Sequence, residues 1–247
     1  ILIGFLFPSL VLLDFVLERI LEVDAIKYAD LLFNSLFLSI FAAILTIILG
    51  VFLVNTYITS NNLIIRLSVT ISRLGYALPG VVIALGVIVP LITLDGLIKN
   101  ALGQYFNITV GLIFSGTMIA IVYAYVIRFL TISYGTIESG FATLNPDIAA
   151  ASRVLGQSKY STLIKIQLPI IKPALIMSAL LVFVDSMKEL PATLILRPFN
   201  FDTLATYVYT YASLSQIEEA ALPALTIVAT GLLPIILINR ELVKNEN

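Results

Sequence analysis

Residues Asn145–Pro169 read NPDIAAASRVLGQSKYSTLIKIQLP, a polar island in an otherwise strongly apolar chain. Asn145 suits a helix N-cap, Pro146 the first helical position, and Asp147 complements the positive end of the helix dipole. The pattern predicts a short helix to Leu155, closed by Gly156 in the left-handed C′ position. Ser158 can cap a second short helix running through Ile166. Pro169 lacks an N–H and disfavours helical geometry at Leu168, which predicts an extended Leu168 and a bend before the next apolar run. Ile148, Ala151, Ser152 and Leu155 share one face of the first helix, and Tyr160, Leu163 and Ile164 mark a stripe on the second. The small residues Ala149, Ala150, Ala151 and Ser152 leave room for another surface to approach. On pattern alone the segment is either an amphipathic hairpin lying on a bilayer or a docking element for a partner.

The rest of the chain sets the class. Of 247 residues, 60% are hydrophobic and only 12% charged, against about 25% charged in an ordinary soluble domain. Mean hydropathy is +1.06. Apolar runs long enough for ~30 Å of hydrocarbon recur without the polar face that a soluble helix needs. They predict an all-α polytopic membrane protein with about six transmembrane helices: Ile1–Leu17, Leu31–Tyr57, Gly75–Leu94, Ile108–Leu130, Ile170–Leu190 and Ala220–Asn239. Gly111, Ser115, Gly116 and Thr117 dilute the fourth, in the manner of a buried helix that others approach closely. Leu78-Pro79-Gly80 reads as a kink early in the third span, and Asn34-Ser35 as the opening of the second.

Basic residues are sided. The stretches 58–74 and 131–169 and the C-terminal tail carry Arg66, Arg73, Arg153, Lys159, Lys165, Arg240 and Lys244, with Arg128 and Lys172 at adjoining span ends. Arg128 is expected to snorkel there. The opposite loops carry Arg19, Lys27, Lys99, Lys188 and Arg197 but also most acids, among them Glu22, Asp24, Asp95, Asp202, Glu218 and Glu219. The positive-inside rule then puts both termini and the Asn145–Pro169 loop in the cytoplasm of a multi-pass protein. Tyr207, Tyr209 and Tyr211 alternate in an outer loop and read as an interfacial aromatic belt.

The chain has no cysteine and no histidine. That excludes disulfides, thiolate or imidazole metal sites and a Cys- or His-based catalytic centre. No Walker-A loop or GxGxxG is present, so any ATP is bound by another chain. No carboxylate pair or Ser/Lys dyad marks an enzyme.

A second stretch, Asp185–Ala205, reads DSMKELPATLILRPFNFDTLA. It places Asp185, Lys188 and Glu189 near the outer end of the fifth span. Asp185 and Lys188, at i,i+3, can pair on one helix face; Asp185 and Glu189, at i,i+4, can flank the same side. Pro191 ends or kinks the helix, Arg197-Pro198 begins a turn, and Asn200 and Asp202 can cap local backbone. Charges at membrane depth face a partner or a water-filled path. Asp185, Lys188, Glu189, Pro191, Arg197 and Asp202 are therefore candidates for an outer gate. The alternatives are a structural ion-pair cluster anchoring a re-entrant loop, or a hard-cation site built from Asp185, Glu189 and Asp202.

The Asn145–Pro169 segment resembles the EAA loop of the membrane-spanning subunits of binding-protein-dependent ABC importers. That motif runs Glu-Ala-Ala, three residues, Gly, nine residues, Ile-x-Leu-Pro; Ala151, Gly156, Ile166, Leu168 and Pro169 fit it. Ala150 stands where glutamate is usual and Ser152 where the second alanine is usual, and Asp147 is one helical turn earlier. The KELPATL and LRPFNFDTLA runs resemble ferric-iron ABC permeases, in which two multi-span halves are commonly fused in tandem. The chain is similar to the second half throughout, and its opening at Ile1 inside an apolar run fits that.

The resemblance implies a type I importer permease (MetI-like) fold over residues 1–247, with 145–169 as its cytoplasmic coupling loop. It implies a bacterial inner-membrane location and a non-catalytic path for ferric iron. The implied partners are a dimer of ABC ATPase subunits carrying ATP and Mg, a second permease half, a periplasmic substrate-binding protein and the lipid bilayer, with no nucleic acid and no cofactor on this chain. Asp147, Ala150, Ala151, Ser152, Leu155, Gly156, Ile166, Leu168 and Pro169 would be the ATPase-coupling residues. Related importers of thiamine, polyamines, sulfate or molybdate share the fold and loop. An ATP-independent secondary transporter is the other class; its mark would be ionisable residues in mid-span, and the sequence places none there.

Overall fold

The computed structural model describes residues 2–108 and 111–245 and is helical throughout, with no strand among them. Ile1 and residues 109–110 of the expected fourth span lie outside the described residues, as do the side chains of Arg240 and Lys244. A π turn, Leu2–Leu6, leads into α1 (Phe7–Arg19). Then follow α2 (Ala25–Thr59), α3 (Leu63–Ser72), α4 (Gly80–Phe106) and α5 (Met118–Ala142). The polar hairpin contains α6 (Pro146–Val154), α7 (Lys159–Thr162), a π turn over Leu163–Gln167 and the single turn α8 (Leu168–Ile170). The chain ends with α9 (Lys172–Met187), α10 (Pro191–Leu196), α11 (Leu204–Ser213) and α12 (Ile217–Asn245).

Helices α2, α4 and α5 are each long and apolar enough to cross a membrane, and the hairpin's second arm with α9 passes the same test as one span bent by 74°. The expected first and sixth spans fall on α1 and α12. Helices α2, α5 and α9 pack together as the centre of the bundle; α4 and α10 flank α5, and α11, α12 and α1 form the other side. The face of α2 bearing Ser35, Leu38, Ala42, Thr46 and Val54 is buried. Its opposite face presents Phe33, Phe37, Phe41, Ile48 and Phe52, the first three in consecutive ring stacks at 6.1 and 5.8 Å. Lipid tails are as apolar as these rings, so the bundle is held by close packing and interhelical hydrogen bonds rather than by water exclusion. Ser133 on α5 supplies both: its Oγ donates to the Thr46 carbonyl at 2.9 Å and accepts from Ser178 Oγ of α9 at 2.9 Å. Near the hairpin, Gly140 lets α5 approach α9 so closely that a Cβ there would stand 2.6 Å from that of Ala174.

Several boundaries move from their expected places. The second span begins six residues earlier, capped by the Asp24 carboxylate on the Ile26 and Lys27 N–H groups. Asn34 and Ser35 therefore sit inside the helix. Ser35 Oγ accepts the Leu204 N–H at 2.8 Å, and Asn34 Nδ2 donates to the Asp202 carbonyl at 3.0 Å. Leu78-Pro79-Gly80 is no mid-helix kink: Gly75–Ala77 form a 3-10 turn, Leu78 is extended, and Pro79 is the N-cap of α4. The fourth span starts at Met118, because Asp95, expected in an outer loop, is buried inside α4 and ties up the preceding residues. Its carboxylate accepts the N–H groups of Ile113, Phe114 and Ser115 at 3.0, 3.0 and 2.8 Å and the Ser115 hydroxyl at 2.6 Å. Three backbone donors left without a ladder are thereby satisfied by one carboxylate. Tyr207, Tyr209 and Tyr211 lie on α11 rather than in a loop. A Thr203–Thr206 capping box starts that helix, and the i,i+4 pair Tyr207 and Tyr211 stacks at 4.3 Å beside the Lys27 ammonium.

Candidate functional site

Two of the polar regions of this bundle bear on function: the hairpin at one end and a charged elbow between α9 and α10.

At the hairpin, Asn145 Oδ1 accepts the Asp147 N–H at 2.9 Å and starts α6 as expected. Gly156 has φ +81°, where an L side chain would be strained, and reverses the chain. Ser158 Oγ accepts the Ser161 N–H at 3.1 Å and starts the second arm. The exit differs from expectation. Leu168 is helical (φ −60°, ψ −43°), not extended, and the bend comes at Ile171. The reason is the π turn: Leu168 N–H reaches back five residues to the Leu163 carbonyl, and this wider turn accommodates a proline within a continuous helical path.

The expected shared face also splits. Ser152 is buried against the second arm, its hydroxyl 2.8 Å from that of Thr162. Leu155 points outward at 80% exposure beside Val154 at 88%, with Tyr160 at 73% on the other arm. Asp147, Ala150 and Ala151 are also exposed, while Ile166 and Leu168 are partly buried and Pro169 exposed. The hairpin is thus pinned internally by a hydroxyl pair and offers an apolar tip. Val154, absent from the sequence-based candidates, belongs to that tip; its place beside the turning glycine was the available signal.

The elbow joins α9 to α10. Asp185 Oδ1 and Lys188 Nζ pair at 2.8 Å, as their spacing predicts, and Tyr76 Oη donates to Asp185 Oδ2 at 3.4 Å. Glu189 does not join Asp185 on one side. It is buried and turns to Arg128 of α5, with 3.1 Å between Glu189 Oε2 and Arg128 Nε. Glu189 Oε1 accepts the Ala192 N–H at 3.2 Å, and Arg128 Nη1 donates to the Leu78 carbonyl at 3.3 Å. Gly80 lies against the pair: a Cβ there would stand 2.7 Å from Glu189 Oε1 and 2.9 Å from Arg128 Nη1. Pro191 opens α10 after the break, and Thr193 Oγ1 lies 2.6 Å from Tyr125 Oη of α5.

Arg128 therefore does not snorkel at a span end. It lies ten residues into α5, about 15 Å from the helix's start at Met118 and about 21 Å from its end at Ala142 at about 1.5 Å per residue. The Arg128 side of the elbow is thus set well inside α5 rather than at its end. Ionisable groups do lie in mid-span, contrary to expectation, because the true fourth helix is displaced toward the hairpin by the Asp95 clasp. Arg197 pairs with Asp202 in the turn after α10, Asn200 takes the left-handed conformation (φ +57°), and Asp202 Oδ1 also accepts the Thr206 hydroxyl at 3.0 Å. Asp185, Glu189 and Asp202 do not converge: among the described residues no cluster of three acidic side chains can hold a metal ion.

Comparison with known proteins places this geometry. The chain is 31% identical over 195 residues to the ferric transport system permease protein FbpB of Actinobacillus pleuropneumoniae, covering 76% of this chain and 27% of that protein. It is 27% identical over 220 residues to the Fe(3+)-transport system permease protein FbpB 2 of Haemophilus influenzae, covering 88% of this chain and 40% of that one. The chain thus spans less than half the length of these relatives. A subunit of a bacterial alginate ABC transporter, solved with an alginate pentasaccharide-bound periplasmic protein, shares the fold at a TM-score of 0.74 and 15% identity, over 97% of this chain and 88% of that one. The family model for the inner membrane component of binding-protein-dependent transport systems matches residues 47–244, and the chain belongs to that family.

Proposed function

We infer that this chain is the membrane-spanning, non-catalytic subunit of an ATP-driven ABC importer and forms part of the path for ferric iron. The observation that carries the reading is the hairpin. It is an internally pinned element at one end of an apolar bundle, with Val154, Leu155 and Tyr160 exposed. Apolar anchors of this kind fit a groove in another protein. The partner is an ATPase subunit dimer on the cytoplasmic side, where ATP and Mg are bound, and the hairpin rides in its groove. Ala150 is exposed where an acid is usual, so coupling rests on shape and apolar contact. Iron is supported by the two ferric permeases described above and by the match through Lys188–Ala205. A second permease half completes the path, and a periplasmic binding protein delivers the ion.

The test is uptake by the assembled transporter in vesicles, with ferric ion and with thiamine, polyamine, sulfate or molybdate as competitors. Ala151→Glu and Gly156→Glu should leave ATP hydrolysis running while iron uptake is lost. Full uptake in both variants would defeat the coupling role. The charges at Arg128, well inside α5, and at Glu189 favour one competing reading, a transporter that works without ATP. Iron uptake that persists without the ATPase would establish that reading instead.

A further inference from the structure

The elbow and the hairpin are connected by two helices. Arg128 lies on α5, which ends at Ala142, three residues before the hairpin begins at Asn145. Glu189 follows α9, which starts at Lys172, three residues after the hairpin ends at Pro169. One partner of the buried ion pair therefore sits on α5 and the other just past the end of α9, the two helices that flank one loop.

Between them α5 and α9 touch through small groups at two levels, with Tyr134, Ile137 and Ile171 packed beside them. Gly140 meets Ala174 nearest the hairpin, and the Ser133 and Ser178 hydroxyls meet farther in. Packed helices with small contact residues slide by shear. A cavity of about 330 Å³, lined by Asn55, Thr59, Phe141, Arg153 and Gln167 among others, separates the hairpin from the ends of α2 and α5 and leaves it room to move.

The ion pair is built to change. Arg128 Nε is buried and close to Glu189, but its N–H makes no hydrogen bond. Each partner is tethered separately to backbone, Arg128 through the Leu78 carbonyl and Glu189 through the Ala192 N–H, so the two can part while each keeps a directed bond. It closes over Gly80 at the start of α4. Beside it Lys188, with a side chain 61% exposed, and Tyr76, 47% exposed, face outward with Asp185 between them. Such groups face a water-filled path or a partner, not hydrocarbon.

We propose that Arg128 and Glu189 are the far end of a lever beginning at the Asn145–Pro169 hairpin: displacement of the hairpin shears α5 against α9 and makes or breaks this ion pair, which gates passage along the Asp185–Lys188 face. The proposal rests on the importer reading and assigns Arg128 and Glu189 as positioning residues.

The experiment uses the complete transporter in vesicles, with its ATPase and with its binding protein loaded with ferric ion. ATP hydrolysis without binding protein and iron taken up per ATP are measured for wild type, Arg128→Gln, Arg128→Lys and Gly80→Ala. Couplings between sites are commonly worth about 5–150-fold, so Arg128→Gln should raise binding-protein-independent hydrolysis about tenfold and lower uptake per ATP. Arg128→Lys keeps the charge and should stay near wild type. Gly80→Ala keeps both charges but pushes a methyl against them, and should move both readings in the same direction by less. Hydrolysis and uptake falling together in proportion to assembled transporter, or Arg128→Gln and Arg128→Lys behaving alike, would overturn the proposal. Wild-type uptake that ignores ATP would overturn the importer reading, and the lever with it, before any variant is compared.

Discussion

The hairpin and the elbow both break the chain's path in an apolar bundle, and both contain a proline, yet they are stabilised in opposite ways. The hairpin closes on itself. The bonds made by Asn145, by Ser158 and between Ser152 and Thr162 each join residues no more than ten positions apart, and Gly156 turns the chain between them. The elbow closes on distant elements: Glu189 needs Arg128, 61 positions away, and Arg128 in turn needs the Leu78 carbonyl, 50 positions away. A self-contained element can move as a unit. An element held from outside changes state when its neighbours move.

This contrast predicts a graded set of effects. The largest should come from Glu189→Ala, which leaves Arg128 buried and uncompensated. Breaking a buried pair costs about 3–5 kcal/mol, so the thermal midpoint of the purified protein should fall by several degrees and its yield in membranes should drop. An unchanged midpoint would mean that the elbow is as self-sufficient as the hairpin. Next, Gly156→Val forces a β-branched residue into a left-handed turn at about 1–2 kcal/mol. The bundle should melt as before, while proteolytic cutting at the hairpin should rise sharply. Ser152→Ala removes one of two paired buried hydroxyls, at about 1 kcal/mol, and should speed amide exchange in α6 without altering the rest. The smallest effect belongs to Lys188→Gln. Its partner Asp185 is an i,i+3 neighbour and Lys188 itself is exposed, so stability should change by less than about 1 kcal/mol. A large loss there would move the elbow's anchor from Glu189 to Lys188.

The same contrast explains what was legible in the sequence. N-caps, the turning glycine and the i,i+3 pair Asp185–Lys188 follow from neighbours along the chain, and they stand where expected. The apolar runs identified α2, α4, α5 and α9 as membrane helices, though with displaced ends. Their boundaries depend on Asp95 clasping residues 113–115 and on Pro79 capping α4 rather than kinking it. Neither can be read from local propensity. Arg128 was misplaced for the same reason: once the fourth helix shifts by ten residues, an end position becomes a middle one. The Leu168 geometry was misread because the steric rule for residues before proline assumes ordinary helical winding, and the π turn relaxes it.

The central claim is that the hairpin tip docks into an ATPase subunit. The chain has no cysteine, so a single introduced thiol reports one position. The direct measurement is photo-cross-linking from Leu155→Cys, Ala150→Cys and Ser152→Cys in membranes containing the ATPase. The account predicts a cross-link to the ATPase from Leu155→Cys and Ala150→Cys and little from the inward-facing Ser152→Cys. Equal labelling from all three positions, or a tip that labels lipid and no ATPase, would contradict it.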